Sequence, residues 1–326
     1  MWKRRGGLSL AETFGVTDPD RRLAEVRMAL VGDPYTPASR WGLSSLKIFK
    51  PRLSVKTWMG WRPKDRLVPV TNLFNRTPTP IEEGWSVRKT QVTDFRGQSL
   101  TYDSHNGTDF AIPPGTQVTA PAPGVVCRVS DEFHRGGLKV VIDHGRGLIT
   151  MSNHLGRALV EVGDEVERGH VVALAAYSGI DGVVAFPWSV PHVHFNTWLN
   201  GVPVDPFARD GEVSLWRVRN DPKPFRGGRG GDGEIAEEIT DEDGGPTVFD
   251  EEALWRVIRG CRDGELRRAL EETEPVYRRG VDTVFMMNYF PTRFEVREVV
   301  YGERFEREGR LDLPFRVVDY DGVRLL

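Results

Sequence analysis

Two cysteines in 326 residues, Cys127 and Cys261, are too few and too far apart for a disulfide framework or a cysteine metal motif. The sequence predicts two buried free thiols instead. No apolar stretch approaches the length of a membrane span, so no transmembrane segment is expected. Met1-Trp2-Lys3-Arg4-Arg5-Gly6-Gly7 is positively charged, but only Leu8 to Leu10 follows before Glu12 and Asp18, and no secretory leader is visible. Neither sign of charge dominates. A net charge of −3 gives no general affinity for polyanions, and no nucleic-acid partner is expected. Lysine is nearly missing from the middle of the chain, where Lys139 stands alone between residues 90 and 222. Histidine is absent from both flanks. All seven, at 105, 134, 144, 154, 170, 192 and 194, fall in one window, which scattered surface histidines would not do.

The spacings within that window carry chemistry. His192 and His194 are two apart among Val190, Val193 and Phe195. On a strand, such residues project from the same face, so both imidazoles enter one cleft. His105 and Asp109 are four apart around the turn-prone pair Asn106-Gly107, where positive φ is tolerated. Two imidazole nitrogens and one carboxylate oxygen suit Zn²⁺ and leave a fourth position for water. Core histidines beside a turn aspartate would explain a lone His-x-His. With His-x-x-x-Asp upstream and Asn153-His154-Leu155 between, a metal site is the stronger reading.

The text from His105-Asn106-Gly107-Thr108-Asp109 through Gly124-Val125-Val126, Asp143-His144-Gly145, Asn153-His154-Leu155 and Val162-Gly163-Asp164 to Pro191-His192-Val193-His194-Phe195 resembles the M23 metallopeptidases, the lysostaphin/LytM-type zinc endopeptidases. The resemblance covers about residues 100–207. It implies a mainly β fold, an antiparallel sandwich or half-barrel of the duplicated hybrid motif kind. It also implies one Zn²⁺ per chain on His105, Asp109 and His194, with His154 and His192 as non-ligand catalytic histidines. The implied substrate is a peptide of peptidoglycan, and the family acts in the cell envelope or is secreted. The rival function is a non-catalytic LytM-like regulator or binding scaffold. Such relatives lose zinc ligands, and here all five site residues are present. Segments such as Ala122-Pro123-Gly124-Val125-Val126 also resemble biotinyl or lipoyl carrier domains. Lys139 sits in an apolar run rather than at a hairpin tip, which leaves a carrier function without its lysine.

The resemblance and the patterning divide the chain into four parts. Residues 1–95 form an extension. A helix starting at Thr17-Asp18-Pro19 is expected to bury Leu23, Val26 and Leu30 and to stop at Gly32. An irregular segment follows it, with Trp41, Phe49, Trp58 and Trp61 packed and its lysines and arginines in water. Residues 96–210 read as the peptidase core, with strands at Val118, Val125-Val126, Val140 to Ile142, Val160 to Val162 and Val171 to Ala173. Residues 226–247 are rich in glycine and then in acid, and read as a linker. Residues 248–326 read as a small α+β appendage, docked on the core or binding a partner. Its expected elements are a helix through Leu254, Val257, Ile258 and Cys261, a second through Leu266 and Leu270, and strand-like alternation at Arg293 to Arg297. His144 is expected to bond a turn, and His134 and His170 to lie at the surface.

Overall fold

The computed structural model describes residues 7–77, 79–227 and 247–326, so most of the expected linker, 228–246, lies outside the described residues. Eleven strands form one connected sheet: β1 Leu67–Asn72, β2 Thr108–Ala111, β3 Gln117–Thr119, β4 Gly124–Glu132, β5 Gly137–Asp143, β6 Leu148–Ala158, β7 Glu165–Val166, β8 Val171–Ala175, β9 His192–Leu199, β10 Val202–Val204 and β11 Gly322–Leu325. The main path runs β11-β1-β2-β9-β6-β5-β4-β7, with β10 on β9, and β8 joined to both β3 and β6. Every pairing is antiparallel except β1 with β11, so the sheet is open, mixed and predominantly antiparallel. The expected strand at Val160 to Val162 does not form. Val160 is buried, but Val162 is exposed and leads into the Gly163 turn.

Seven α-helices surround the sheet: α1 Leu10–Phe14, α2 Pro19–Val31, α3 Pro51–Trp58, α4 Ile180–Val184, α5 Glu251–Arg259, α6 Gly264–Glu272 and α7 Val276–Tyr289. Strand alternation sends β-sheet residues to two faces. Phe110, Leu148, Val193 and Phe195 enter one core with Val68, Val140, Phe315 and Tyr320. Val141, Ile149, Met151 and Trp198 point the other way and meet α5 and α7 through Leu254, Val257, Val284 and Phe285. Asp109, His192 and His194 share this second face, at the end that the helices leave open.

Residues 247–326 pack on the core from both sides. Their helices cover the second face, while Leu311, Leu313, Phe315 and Tyr320 complete the first core, and β11 lies beside β1 in the register Leu67↔Gly322. Arg293 to Arg297 forms a 3-10 turn and a bend rather than the expected strand, because Arg293 is held by Asp33 and Asp263. Helix α7 was not expected. Gly280 and the β-branched Val281, Thr283 and Val284 weaken its local signal. It forms because it is buried, and a Cβ at Gly280 would fall 2.4 Å from the Phe249 ring.

The N-terminal helix also departs from its pattern. α2 has the expected Asp18 cap and Gly32 stop, but Leu23 and Leu30 are exposed while Arg22 and Glu25 are buried. Arg22 bonds Gly15 O, Glu25 and Asp131, so an ionic cluster holds this helix rather than an apolar stripe. Of the expected packed aromatics, Trp58 is buried between Phe14 and Phe186, whereas Trp41 and Trp61 are exposed. Cys127 and Cys261 are buried and free.

His144 is buried, with Nδ1 donating to Pro123 O at 2.8 Å and Nε2 accepting from Thr150 Oγ1 at 2.8 Å. Both contacts suit the neutral ring. Burial pulls its pKa down to about 3, against the pull of the Pro123 carbonyl. The unfolded chain takes up this proton near pH 6.5 and the folded one does not, so stability falls as pH drops below 6.5. Between pH 7.5 and 5.5 the loss from His144 comes to about 1.4 kcal/mol. Urea unfolding of the wild type and His144→Asn at both pH values checks this, since the variant should lose less on acidification. Equal losses would mean the ring is not held neutral.

Candidate metal centre and active site

β2 and β9 bring the two spacings together. In their antiparallel register, Asp109 lies opposite His194 and Ala111 opposite His192. His105, four residues before Asp109, is held in place by Nδ1 donating to Leu73 O at 2.6 Å. Gly107 is required here by close approach rather than by positive φ. A Cβ at that position would lie 2.6 Å from Phe195 O and 2.8 Å from His194 Nε2.

His105, Asp109 and His194 are all buried and converge as a group able to hold a metal ion. Asp109 Oδ1 is 3.0 Å from His105 Nε2 and 2.8 Å from His194 Nδ1, and the two nitrogens are 3.1 Å apart. Asp109 Oδ2 is occupied by Asn72 Nδ2 at 2.8 Å, which leaves Oδ1 for the centre. His194 Nε2 faces Asn106 Oδ1 at 3.2 Å. The Leu73 and Asn106 contacts place the protons of His105 and His194 on the outer nitrogens. Two nitrogen lone pairs then face one carboxylate oxygen with no proton between them. This is an acceptor set that a cation satisfies, and the donors fit Zn²⁺. Burial opposes the Asp109 charge, but His105, His192 and His194 hold its carboxyl well below the usual range. Burial lowers the His194 pKa to about 4 despite Asp109.

His192 and His154 stand beside this group. His192 Nδ1 donates to Val190 O at 2.7 Å, and its Nε2 is 3.5 Å from Asp109 Oδ1. His154 Nδ1 donates to Ser178 O at 2.8 Å, and the two rings meet edge to face at 4.7 Å. Burial, and then His192, holds the His154 pKa well below its ordinary value. His154 reaches the cleft through a bulge. Asn153 pairs with His194 on the second face, His154 takes a left-handed φ of 59°, and Leu155 returns to the first core. Two successive residues therefore face the site. The Tyr177 ring packs on both imidazoles.

The structure thus brings together all five residues singled out from the sequence. His170 is exposed and distant from them in role, but His134 is not the surface residue expected. Its side chain is 6% exposed, wedged under Phe290. Sequence reasoning missed Asn72, Asn106, Tyr177, Arg135 and Asp181. Only Asn106 carried a signal, by its place between His105 and Asp109. The loop from Ile180 to Val190, expected to overhang the metal, instead lines an adjoining cavity with Ile180, Asp181 and Val184, while Phe186 turns to Phe14 and Trp58.

Residues 103–206 match the family model described as Peptidase family M23. An "Uncharacterized metalloprotease" of Haemophilus influenzae is 36% identical over 104 residues, 32% of this chain and 20% of that protein. The peptidoglycan DD-endopeptidase ShyA of Vibrio cholerae is 37% identical over 102 residues, 31% of this chain and 22% of that protein. The match therefore spans about a fifth of the length of these curated relatives. Among solved structures, a zinc containing peptidase from Vibrio cholerae aligns with a TM-score of 0.30 and 30% identity, over 43% of this chain and 38% of that chain.

Proposed function

We propose that this chain, whose residues 103–206 form a peptidase family M23 domain, is a zinc endopeptidase that hydrolyses peptide bonds in peptidoglycan cross-links. The observation that carries the reading is the buried acceptor set of His105, Asp109 and His194 beside two imidazoles with fixed tautomers. In this reading those three residues hold one Zn²⁺. When bound, the ion supplies Lewis acidity toward a peptide carbonyl and toward water.

The rest of the chemistry belongs to the chain's own side chains. Ser178 O and Val190 O hold the Nδ1 protons of His154 and His192, so each Nε2 offers a lone pair to the cleft. One accepts the proton of the water that adds to the carbonyl and returns it to the leaving amine, and the other steadies the oxyanion. The low pKa of His154 keeps that ring neutral and ready to accept. Asn72 and Asn106 orient Asp109 and His194. Peptide substrates enter from the side that the helices leave open.

Incubating the zinc-loaded protein with purified peptidoglycan and weighing the released muropeptides tests the activity. Cross-linked species should shorten to products with one new amine and one new carboxylate, and a chelator should stop the reaction. Metal analysis should find about one Zn²⁺ per chain, and His105→Ala or Asp109→Ala should lose most of it. Full metal content in both variants would sink the ligand assignment. Intact zinc with intact muropeptides would favour the non-catalytic scaffold.

A further inference from the structure

Beside the metal group lies a cavity of about 300 Å³, into which His154 and His194 also open. Its walls are largely apolar, with Leu30, Trp41, Trp85 and Val184 among them. Two opposite charges line it, Arg135 from the turn between β4 and β5 and Asp181 from α4. Among the described residues these two groups form no ion pair, either with each other or with any other side chain.

The Arg135 guanidinium lies 4.3 Å over the Trp85 ring and 5.8 Å from the Phe290 ring centre, stacked but without an acceptor among the described residues. Burial lowers its pKa to about 9. The nearest alternative carboxylates are already committed: Asp33 pairs with Arg293, and Glu25 with Arg22. Asp181 accepts no side-chain hydrogen bond among the described residues, and burial raises its pKa. His134 lines the same cavity with both ring nitrogens buried and unbonded, its nearest carboxylate oxygen being Glu25 Oε1 at 3.8 Å. Isolated buried charges are costly, and a fold that keeps two of opposite sign apart leaves both to be satisfied by something that enters.

We propose that this cavity is a specificity subsite for a substrate residue bearing an amino-acid head group, with Arg135 receiving its carboxylate and Asp181 its ammonium. The proposal rests on the peptidase reading for its place beside the scissile bond. Arginine presents a planar fork to a carboxylate, and His134 is placed to add a third donor. The apolar walls take the aliphatic stem that carries the head group. A side chain with only one of the charges leaves the other protein charge buried and unmatched, so discrimination comes from what is left unpaired as well as from what is bound.

Binding separates this claim from catalysis. Four Nα-acetyl amino-acid amides are titrated calorimetrically into the zinc-loaded full chain. Their side chains end in both charges (diaminopimelate), ammonium alone (lysine), carboxylate alone (2-aminoheptanedioate) or neither (norleucine). The doubly charged ligand should bind at least about tenfold more tightly than either singly charged one, with norleucine weakest. Arg135→Gln should erase the advantage of the carboxylate and Asp181→Asn that of the ammonium, each at wild-type zinc content. Equal affinity for all four ligands in the wild type overturns the proposal without recourse to any variant. Carboxylate alone binding as tightly as both charges removes Asp181 from it and overturns the head-group claim. Selectivity in a protein that leaves peptidoglycan uncut would refute the peptidase reading and keep the subsite. Cleavage without selectivity would do the reverse.

Discussion

Alanine in place of His154 or His192 is expected to lower peptide hydrolysis by roughly 10²–10⁴-fold while zinc content stays near that of the wild type. The expectation follows from geometry. The acceptor set is complete without either ring, since His105, Asp109 and His194 already converge on one point. Both outer imidazoles are anchored through Nδ1 to backbone carbonyls, so they are oriented without help from a metal. Their loss should therefore remove proton transfer and charge stabilisation and leave the ligands in place. The two substitutions differ in one respect. His154 has a left-handed backbone that alanine tolerates poorly, so part of any loss at that position could come from strain. His154→Asn removes this ambiguity, because asparagine accepts that conformation and still cannot serve as a base at neutral pH. If the two rings were merely packing, activity and melting temperature would fall together by small amounts, and asparagine would restore both. Wild-type cleavage in both alanine variants would end the catalytic reading of the cleft even with zinc bound.

How much of this was legible in the sequence depends on how local each signal is. The pairing of His192 with His194, and of His105 with Asp109, needs only strand alternation and one turn, and both are short-range rules. The same holds for Asp18 and Gly32 at the ends of α2, and for the apolar face of α5. What escaped depends on distant partners. Leu23 and Leu30 predicted the wrong face for α2, because the buried cluster of Arg22 and Glu25 is completed by Asp131, more than a hundred residues away. Asn72 orients Asp109 from β1, and no spacing in the sequence links the two. Arg135 and Asp181 read as ordinary surface charges until the fold places them on one cavity. Helix α7 is hidden by Gly280 and its β-branched neighbours, and only the Phe249 ring pressed against that glycine explains its composition.

The C-terminal region gives the last expected result: a chain ended after Arg310 should not fold to the native state and should bind no zinc. Leu311, Leu313, Phe315 and Tyr320 are each at most 1% exposed and sit in the same core as Phe110 and Phe195. Removing a buried side chain of this size costs roughly 2–5 kcal/mol, so losing four exceeds the about 5–15 kcal/mol that holds a typical domain together. The truncation also takes β11 from β1 and Asp312 from the buried Arg168. The damage reaches the metal centre by a short route. Phe315 packs edge-on against Phe110 at 5.5 Å, and Phe110 is the neighbour of Asp109 in β2. Phe315→Ala supplies the graded form of the experiment, with a loss of roughly 3–5 kcal/mol and a lower melting temperature in a protein that still folds. Protease nicking within 228–246 should have the opposite outcome, with the two pieces staying associated and the zinc retained, because residues 247–326 are held by both faces of the sheet. A fragment of residues 1–310 that kept its circular dichroism, melting temperature and metal would show that the peptidase core stands without this region.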